Sequence, residues 1–141
     1  MLAAAALALA LAVPVVLPHR GTAFRGPTAQ GHLVSFAVAP GVLRVERLAV
    51  IVDVPCGTLG VISERRVFPA VPIHPNGTFA AVSRDVPPRI VPQGDRALIQ
   101  GRFATPRKAV GTVVLAVRLF DAKLGAVFCQ SPFVSWSATV P

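Results

Sequence analysis

Fourteen prolines are scattered along this chain, and they leave few stretches long enough for a stable helix. A proline inside a helix removes a backbone donor and clashes with the preceding turn. What fills the gaps is valine and phenylalanine alternating with polar residues, the period-two pattern of half-buried strands. Residues 32–38 place Val34, Phe36 and Val38 on one face and Ser35 on the other. In residues 43–54 the alternation changes phase. Leu43 and Val45 share one parity, while Leu48, Val50, Val52 and Val54 share the other. One extra residue near Glu46-Arg47, a β-bulge, restores all of them to one face.

The middle of the chain is less regular, with strands expected at residues 65–70 and 78–83. Between them Pro75-Asn76-Gly77 reads as a hairpin turn, because Asn-Gly tolerates the positive φ of a tight connection. Asn76-Gly77-Thr78 also fits the N-glycosylation pattern, but the turn accounts for the same residues without a further assumption. Residues 86–94 carry Pro87, Pro88 and Pro92 and read as an irregular loop or edge. The C-terminal third is the most regular. Ala97, Ile99, Gly101 and Phe103 alternate with Arg96, Gln100 and Arg102. After a turn at residues 105–108, Val113, Leu115, Val117 and Leu119 point inward, with Thr112 and Arg118 outward. A second turn at residues 121–125 leads to a strand at 127–130. The last strand puts Val134, Trp136 and Ala138 inside and Phe133 outside. About eight or nine short strands joined by turns, each with one apolar face, predict an all-β fold: an antiparallel sandwich of jelly-roll or immunoglobulin-like type, or a small barrel.

Residues 2–17 are uncharged and rich in Ala and Leu, with a break at Pro14. This is shorter than the ~20 apolar residues of a spanning helix and reads as a signal peptide. Ala10-Leu11-Ala12 supplies the small residues of a cleavage site after Ala12, and Ala8-Leu9-Ala10 supplies an earlier one. Only Met1 precedes the apolar run, so the usual basic n-region would lie upstream or be missing; the competing reading is an uncleaved anchor. With residues 1–17 as leader and short linker, residues 18–141 form one domain, since about 125 residues support one core and not two. Cys56 and Cys129 both fall at strand ends. An even cysteine count in an exported chain reads as a disulfide, and no Cys-x-x-Cys spacing suggests redox chemistry. A bridge closing so long a loop contributes about 4 kcal/mol in the chain-entropy account. The chain is therefore expected to be secreted or held in the cell envelope.

The segments Gly77-Thr78-Phe79, Ile99-Gln100-Gly101-Arg102-Phe103, Ala109-Val110-Gly111-Thr112, Cys129-Gln130-Ser131 and Val134-Ser135-Trp136-Ser137-Ala138 resemble those of a family of small secreted actinobacterial proteins of unknown function. Gly21-Thr22, Gln30-Gly31 and Val34-Ser35-Phe36 are similar to that family's first strands. The resemblance covers nearly all of the chain after the leader. It implies glycines where strands approach closely, a tryptophan in the core and a disulfide. It carries over no catalytic or binding residue.

Residues that could carry chemistry are sparse. His19, His32 and His74 are the only imidazoles, and none are spaced for a shared metal, so no metal site or cofactor is expected. No serine lies in G-x-S-x-G, and both cysteines are assigned to the bridge. Asp85 and Asp95, set across the proline-rich loop of residues 87–95, are the one carboxylate pair that could serve a small extracellular hydrolase; turn capping is the simpler account of them. The net charge is +8, from fourteen Lys and Arg against six Asp and Glu. Such a surface suits an anionic polymer such as a cell-wall glycan. A GC-rich coding bias would give the same balance, and the charges are dispersed with no long block. Arginines interleaved with aromatics, as nucleic-acid binding wants, are largely missing. Arg96, Arg102 and Arg118, all outward on two adjacent strands, are the candidate anion-binding stripe. The expected function is a non-catalytic structural or ligand-binding module.

Overall fold

A computed structural model describes residues 14–84 and 96–141 of the chain. The strands are β1 (Ala23–Pro27), β2 (Leu33–Val38), β3 (Arg44–Pro55), β4 (Val61–Val67), β5 (Val71–Pro72), β6 (Thr78–Arg84), β7 (Arg96–Thr105), β8 (Lys108–Asp121), β9 (Gly125–Gln130) and β10 (Val134–Thr139). Among the described residues the only helical turn is a 3-10 turn at Gly57–Leu59.

All ten strands belong to one antiparallel sheet, in the order β4-β3-β2-β1-β10-β8-β7-β6, with β5 added to β3 and β9 to β8. β1 and β10 meet in the middle through a short pairing of Arg25 with Thr139. That joint divides the sheet into a first wing, β1 to β5, and a second wing, β6 to β10. Gly26 sits at the joint, where a Cβ would run into the Ser137 carbonyl of β10. The wings fold onto each other. The Phe36 ring of β2 lies 5.6 Å from Phe79 of β6 and 6.2 Å from Trp136 of β10. One continuous buried cluster draws on both wings. The fold is thus the expected all-β antiparallel one, with its two layers formed by halves of a single sheet. The sheet is not closed into a barrel, since β4 and β6 stand at its two ends.

Inside, the rings of Phe24, Phe36, Phe79, Phe103 and Trp136 pack together, with Phe24 stacked on Phe36 at 4.8 Å. Such pairs add roughly 0.5–1.5 kcal/mol each beyond the area they bury. Trp136 fits because Gly101 and Gly111 lie opposite each other on β7 and β8; a Cβ on either would collide with its indole. The bulge expected near Glu46-Arg47 is present. Ser35 pairs with Ala49 and Ala37 with Glu46, so Arg47 and Leu48 of β3 oppose Phe36 alone. Arg47 takes the left-handed conformation, φ 53°. The phase change then buries Val45 together with Leu48, Val50, Val52 and Val54.

Cys56 and Cys129 form the disulfide, with Cα atoms 5.2 Å apart. It joins the end of β3 to β9 and so ties the first wing to the second, away from the β1–β10 joint.

The turn at Pro75-Asn76-Gly77 forms, but it does not close a hairpin. Gly77 N–H donates to the His74 carbonyl at 2.9 Å, and Asn76 Oδ1 accepts from the Thr78 hydroxyl at 2.6 Å. The strand expected at residues 65–70 is β4, Val61–Val67, and it pairs with β3; β6 pairs with β7. The turn instead carries the chain from one wing to the other. Phe68 and Ile73 hold the preceding segment against β3, donating to the Leu48 and Leu43 carbonyls. Pro69, Pro72 and Pro75 remove the donors that a ladder with β6 would need.

The topology gives the molecule two poles. At one lie the first and last described residues: Val16 packs against the core, His19 N–H reaches the Pro106 carbonyl, and Val140 N–H reaches that of Arg107. At the other lie the turns 28–32, 57–60 and 121–125.

Candidate functional site

The strand registers place Arg96, Arg102 and Arg118 on the outer face of the second wing. Arg96 is opposite Ala116 and Arg102 opposite Val110, while Arg118 stands two residues beyond Ala116. Arg96 and Arg118 are diagonal neighbours. Arg102 is six residues along β7 from Arg96, about 20 Å at strand spacing. The Arg118 guanidinium lies over the Phe128 ring, 4.9 Å from its centroid. The three therefore share a face without converging on one ligand. Arg102 instead borders a shallow dish of about 680 Å³ with His74, Gln100, Thr112 and Ser135. Short side chains around the Gly101–Gly111 pair make the dish.

On the first wing the structure assembles a polar cluster that spacing alone does not reveal. His32 Nε2 lies 2.7 Å from Asp53 Oδ1, and the Ser63 hydroxyl donates to the same oxygen. These two bonds, Ser63 first, hold the Asp53 carboxyl below its ordinary pKa. Gln30 spans the Asp53 backbone: its amide N–H donates to the carbonyl at 3.0 Å and its amide oxygen accepts from the N–H at 2.8 Å. Acyl transfer needs the serine on the imidazole and the carboxylate behind it. Here serine and histidine both sit on the carboxylate, so the Ser63 hydroxyl is held by Asp53 and not by the imidazole. The cluster is a latch that fastens the β1–β2 turn to β3. Among the described residues no three His, Cys, Asp or Glu side chains gather as metal ligands. Asp85, Asp95 and the loop of residues 87–95 lie outside the described residues, as do Ala10 and Ala12.

The same face of the first wing carries a second feature. Cross-strand pairing sets Arg25 beside Ser35, Ser35 beside Ala49, and Ile51 beside Arg65. Arg25 of β1 and Arg65 of β4 are therefore three strands apart and two residues out of register, about 16 Å between backbones, with Ser35 and Ala49 in the row between. The bulge adds Arg47 from the same side. These three arginines border a groove of about 430 Å³ lined by Ser35, Ala37, Ala49 and Leu33, and among the described residues no carboxylate lines it. A bulge re-aims the side chain it carries, and a non-glycine residue at positive φ costs roughly 1–2 kcal/mol, so Arg47 is held there against its backbone preference.

Electrostatics favour this groove because the described carboxylates nearest to it already have partners. Glu46 stands at the groove's edge, across from Ala37, and accepts from Arg44 at 2.6 and 3.1 Å. Glu64 pairs with buried Arg66 at 3.1 Å, and Asp53 is in the latch. Asp121 accepts the Lys123 and Leu124 N–H groups of its own turn. The Arg65-Arg66 doublet is split by the strand, Arg65 facing the groove and Arg66 facing in. The sequence pattern marks no strand at Arg25, which the structure places outward on β1, as it does Arg65 on β4. That β1 and β4 flank the same pair of strands is a long-range fact that no local pattern contains.

Comparison of the chain with protein-family models, with curated proteins and with solved structures gave no match.

Proposed function

We propose that this chain is a non-catalytic, extracytoplasmic binding module for an anionic polymer, and that the groove between Arg25, Arg47 and Arg65 is its contact site. One observation carries the reading: three arginines from three strands border one groove, with no carboxylate lining it among the described residues. Guanidinium groups suit phosphate, sulfate and carboxylate because their planar donors match paired oxygens. Backbones about 16 Å apart favour a ligand with repeated charges over a single small ion. Several further features support the setting. The apolar leader fits export, the Cys56–Cys129 bridge is compatible with an oxidising compartment, and the net charge of +8 favours anionic surroundings. The resemblance to small secreted actinobacterial proteins points the same way.

The test is retention on an immobilised polyphosphate or carboxylated glycan at two salt concentrations. The combined variant Arg25→Gln, Arg47→Asn, Arg65→Gln is expected to bind at least ~10-fold more weakly and with a flatter salt dependence, as fewer counterions are released. Arg96→Gln with Arg102→Gln should change retention little. A reversed pattern would move the site to the second wing, and salt-insensitive retention of the wild type would remove the anion reading altogether.

A further inference from the structure

The shallow dish beside Arg102 is built by two rows of outward side chains on the second wing. In one row Thr78 of β6 pairs with Arg102 of β7, which pairs with Val110 of β8. In the other, two residues along, Ala80 pairs with Gln100, Gln100 with Thr112, and Thr112 with Ser135 of β10. Between them run Phe79, Gly101, Gly111 and Trp136. Their two rings turn inward and the glycines have none, so backbone makes the floor. The volume, about 680 Å³, is that of a small-molecule site.

The lining divides by chemistry. At one side stand Arg102 and His74, whose N–H donates to the Thr78 carbonyl at 2.8 Å. Along the other, Gln100, Thr112 and Ser135 follow one another in steps of about 5 Å, the spacing of strands. Gln100, Arg102, Thr112 and Ser135 make no side-chain hydrogen bond to another described residue, so their donors and acceptors are open to a ligand. A second observation lies behind the floor. Trp136 is 3% exposed and lines the dish, and its indole N–H has no partner among the described residues. A Cβ at Gly111 would stand 2.8 Å from Cε2, the ring carbon bonded to that nitrogen, so the polar edge of the indole lies against the floor. A buried donor left unanswered is costly and uncommon in a folded interior.

We infer that the dish binds a small hydroxylated anion, a sugar carrying one carboxylate or one phosphate group. Arg102 takes the anionic head with paired donors, beside His74. Gln100, Thr112 and Ser135 each offer a donor and an acceptor, which is what hydroxyl groups require of their partners. Ala80 and Val110 leave room for the C–H face of the ring. An apolar ligand fits poorly, because it would strip water from these polar groups and replace none of their bonds. The single arginine also separates this site from the groove on the opposite wing, on which it does not depend. Arg102 decides the binding of a ligand with one anionic group and adds little to the retention of a polymer that meets many cations.

The experiment titrates the isotopically labelled full chain with glucuronate, glucose 6-phosphate, glucose and inorganic phosphate, and follows amide and indole signals by NMR. The single tryptophan gives one indole N–H signal, which reports from behind the floor. Saturable shifts are expected at Gly101, Gly111 and the Trp136 indole with glucuronate or glucose 6-phosphate, and the tighter of the two identifies the head as carboxylate or phosphate. Glucose and inorganic phosphate, each lacking half of the recognised chemistry, should bind about tenfold more weakly or worse. Arg102→Gln should weaken binding of the anionic sugars about tenfold, and Thr112→Val with Ser135→Ala should weaken it without moving the unfolding midpoint. The inference is overturned if neither anionic sugar gives saturable shifts at the dish, or if the Arg102→Gln variant binds as tightly as the wild type. It is overturned equally if glucose or inorganic phosphate binds as tightly as the anionic sugars, since one half of the lining would then be idle.

Discussion

The two wings contribute equally to the inside of the molecule and differ on the outside. Each gives a layer of valines and rings to one core: Phe24 and Phe36 from the first, Phe79, Phe103 and Trp136 from the second. On the outer faces the first wing sets long arginines around a groove lined by Ser35, Ala37, Ala49 and Leu33, while the second exposes phenylalanines and valines with cations between them. Packing dictates the inner residues because any change of volume there is felt by both layers. The outer residues are free of that demand. Their divergence is therefore the part of the molecule most open to selection by partners.

The largest effect is expected where the wings are held together. Replacing Cys56 and Cys129 by serine removes a link between layers whose only other covalent connection is the chain itself. A loss of about 4 kcal/mol is expected in urea unfolding, by the chain-entropy account of a long closed loop. If the wings are one cooperative unit through their core, a single transition should persist at a lower midpoint. Two separated transitions would show that the bridge, and not the shared core, makes the wings fold together.

Next in size is the contact that lets one wing hold the tryptophan. Gly111→Ala places a methyl against the Trp136 indole and the Gln100 carbonyl. A loss of roughly 1–3 kcal/mol is expected, the usual cost of overpacking a filled core. Gly125→Ala would strain a left-handed turn residue that meets no neighbour, so it tests backbone conformation without crowding. A smaller loss there than at Gly111, measured in the same denaturant series, would separate packing from strain on the second wing.

The comparison sharpens further at Arg47. Arg47→Gly relieves a left-handed conformation that costs a side chain roughly 1–2 kcal/mol, while adding the chain entropy of glycine. The balance is a gain of about 0.5–1 kcal/mol in stability. The same change should weaken retention on an anionic polymer. A variant that is more stable and binds less well would show that the first wing keeps its bulge residue for contact and not for folding. If stability falls instead, the Arg47 side chain supports the fold, and the groove loses its clearest mark of use.

How much of this was legible depended on the range of the interaction. Alternation in residues 96–104 and 134–140 reads out the buried faces, because period two is a local consequence of the strand. The bulge at Arg47 was readable for the same reason: a phase change in the valines has few other causes. The destination of the turn at Asn76 was not readable. Its hydrogen bonds are local, but the choice of β3 and β7 as partners is made by Phe68 and Ile73 filling a core from which no nearby residue can be predicted. The candidate site divides likewise. Parity shows that Arg96, Arg102 and Arg118 point outward on one face, yet their spacing along the strands keeps Arg102 apart. Arg25, Arg47 and Arg65 converge only through the order of four strands, and the latch of His32, Asp53 and Ser63 through the folding of a turn over β3.

That latch gives the smallest expected effect and a further contrast, since no counterpart to it stands on the second wing among the described residues. The Ser63 hydroxyl and His32 hold the Asp53 carboxyl below the ordinary carboxylate range. A carboxyl whose pKa is lower folded than unfolded binds its proton more readily in the unfolded chain. Its stabilising contribution is therefore complete above the unfolded value, near pH 4, and fades as the pH falls through the folded one. Stability measured from pH 6 down to pH 2 should show a component that Asp53→Asn removes and that Ser63→Ala reduces. Hydrogen exchange places the effect: acidification should expose amides of the β1–β2 turn, held by Gln30 and His32, before those of the β8–β9 hairpin. Equal exposure of both would mean that the turn is fastened by its backbone bonds alone, such as Thr28 N–H to the His32 carbonyl at 2.7 Å, and that the carboxylate is incidental to it.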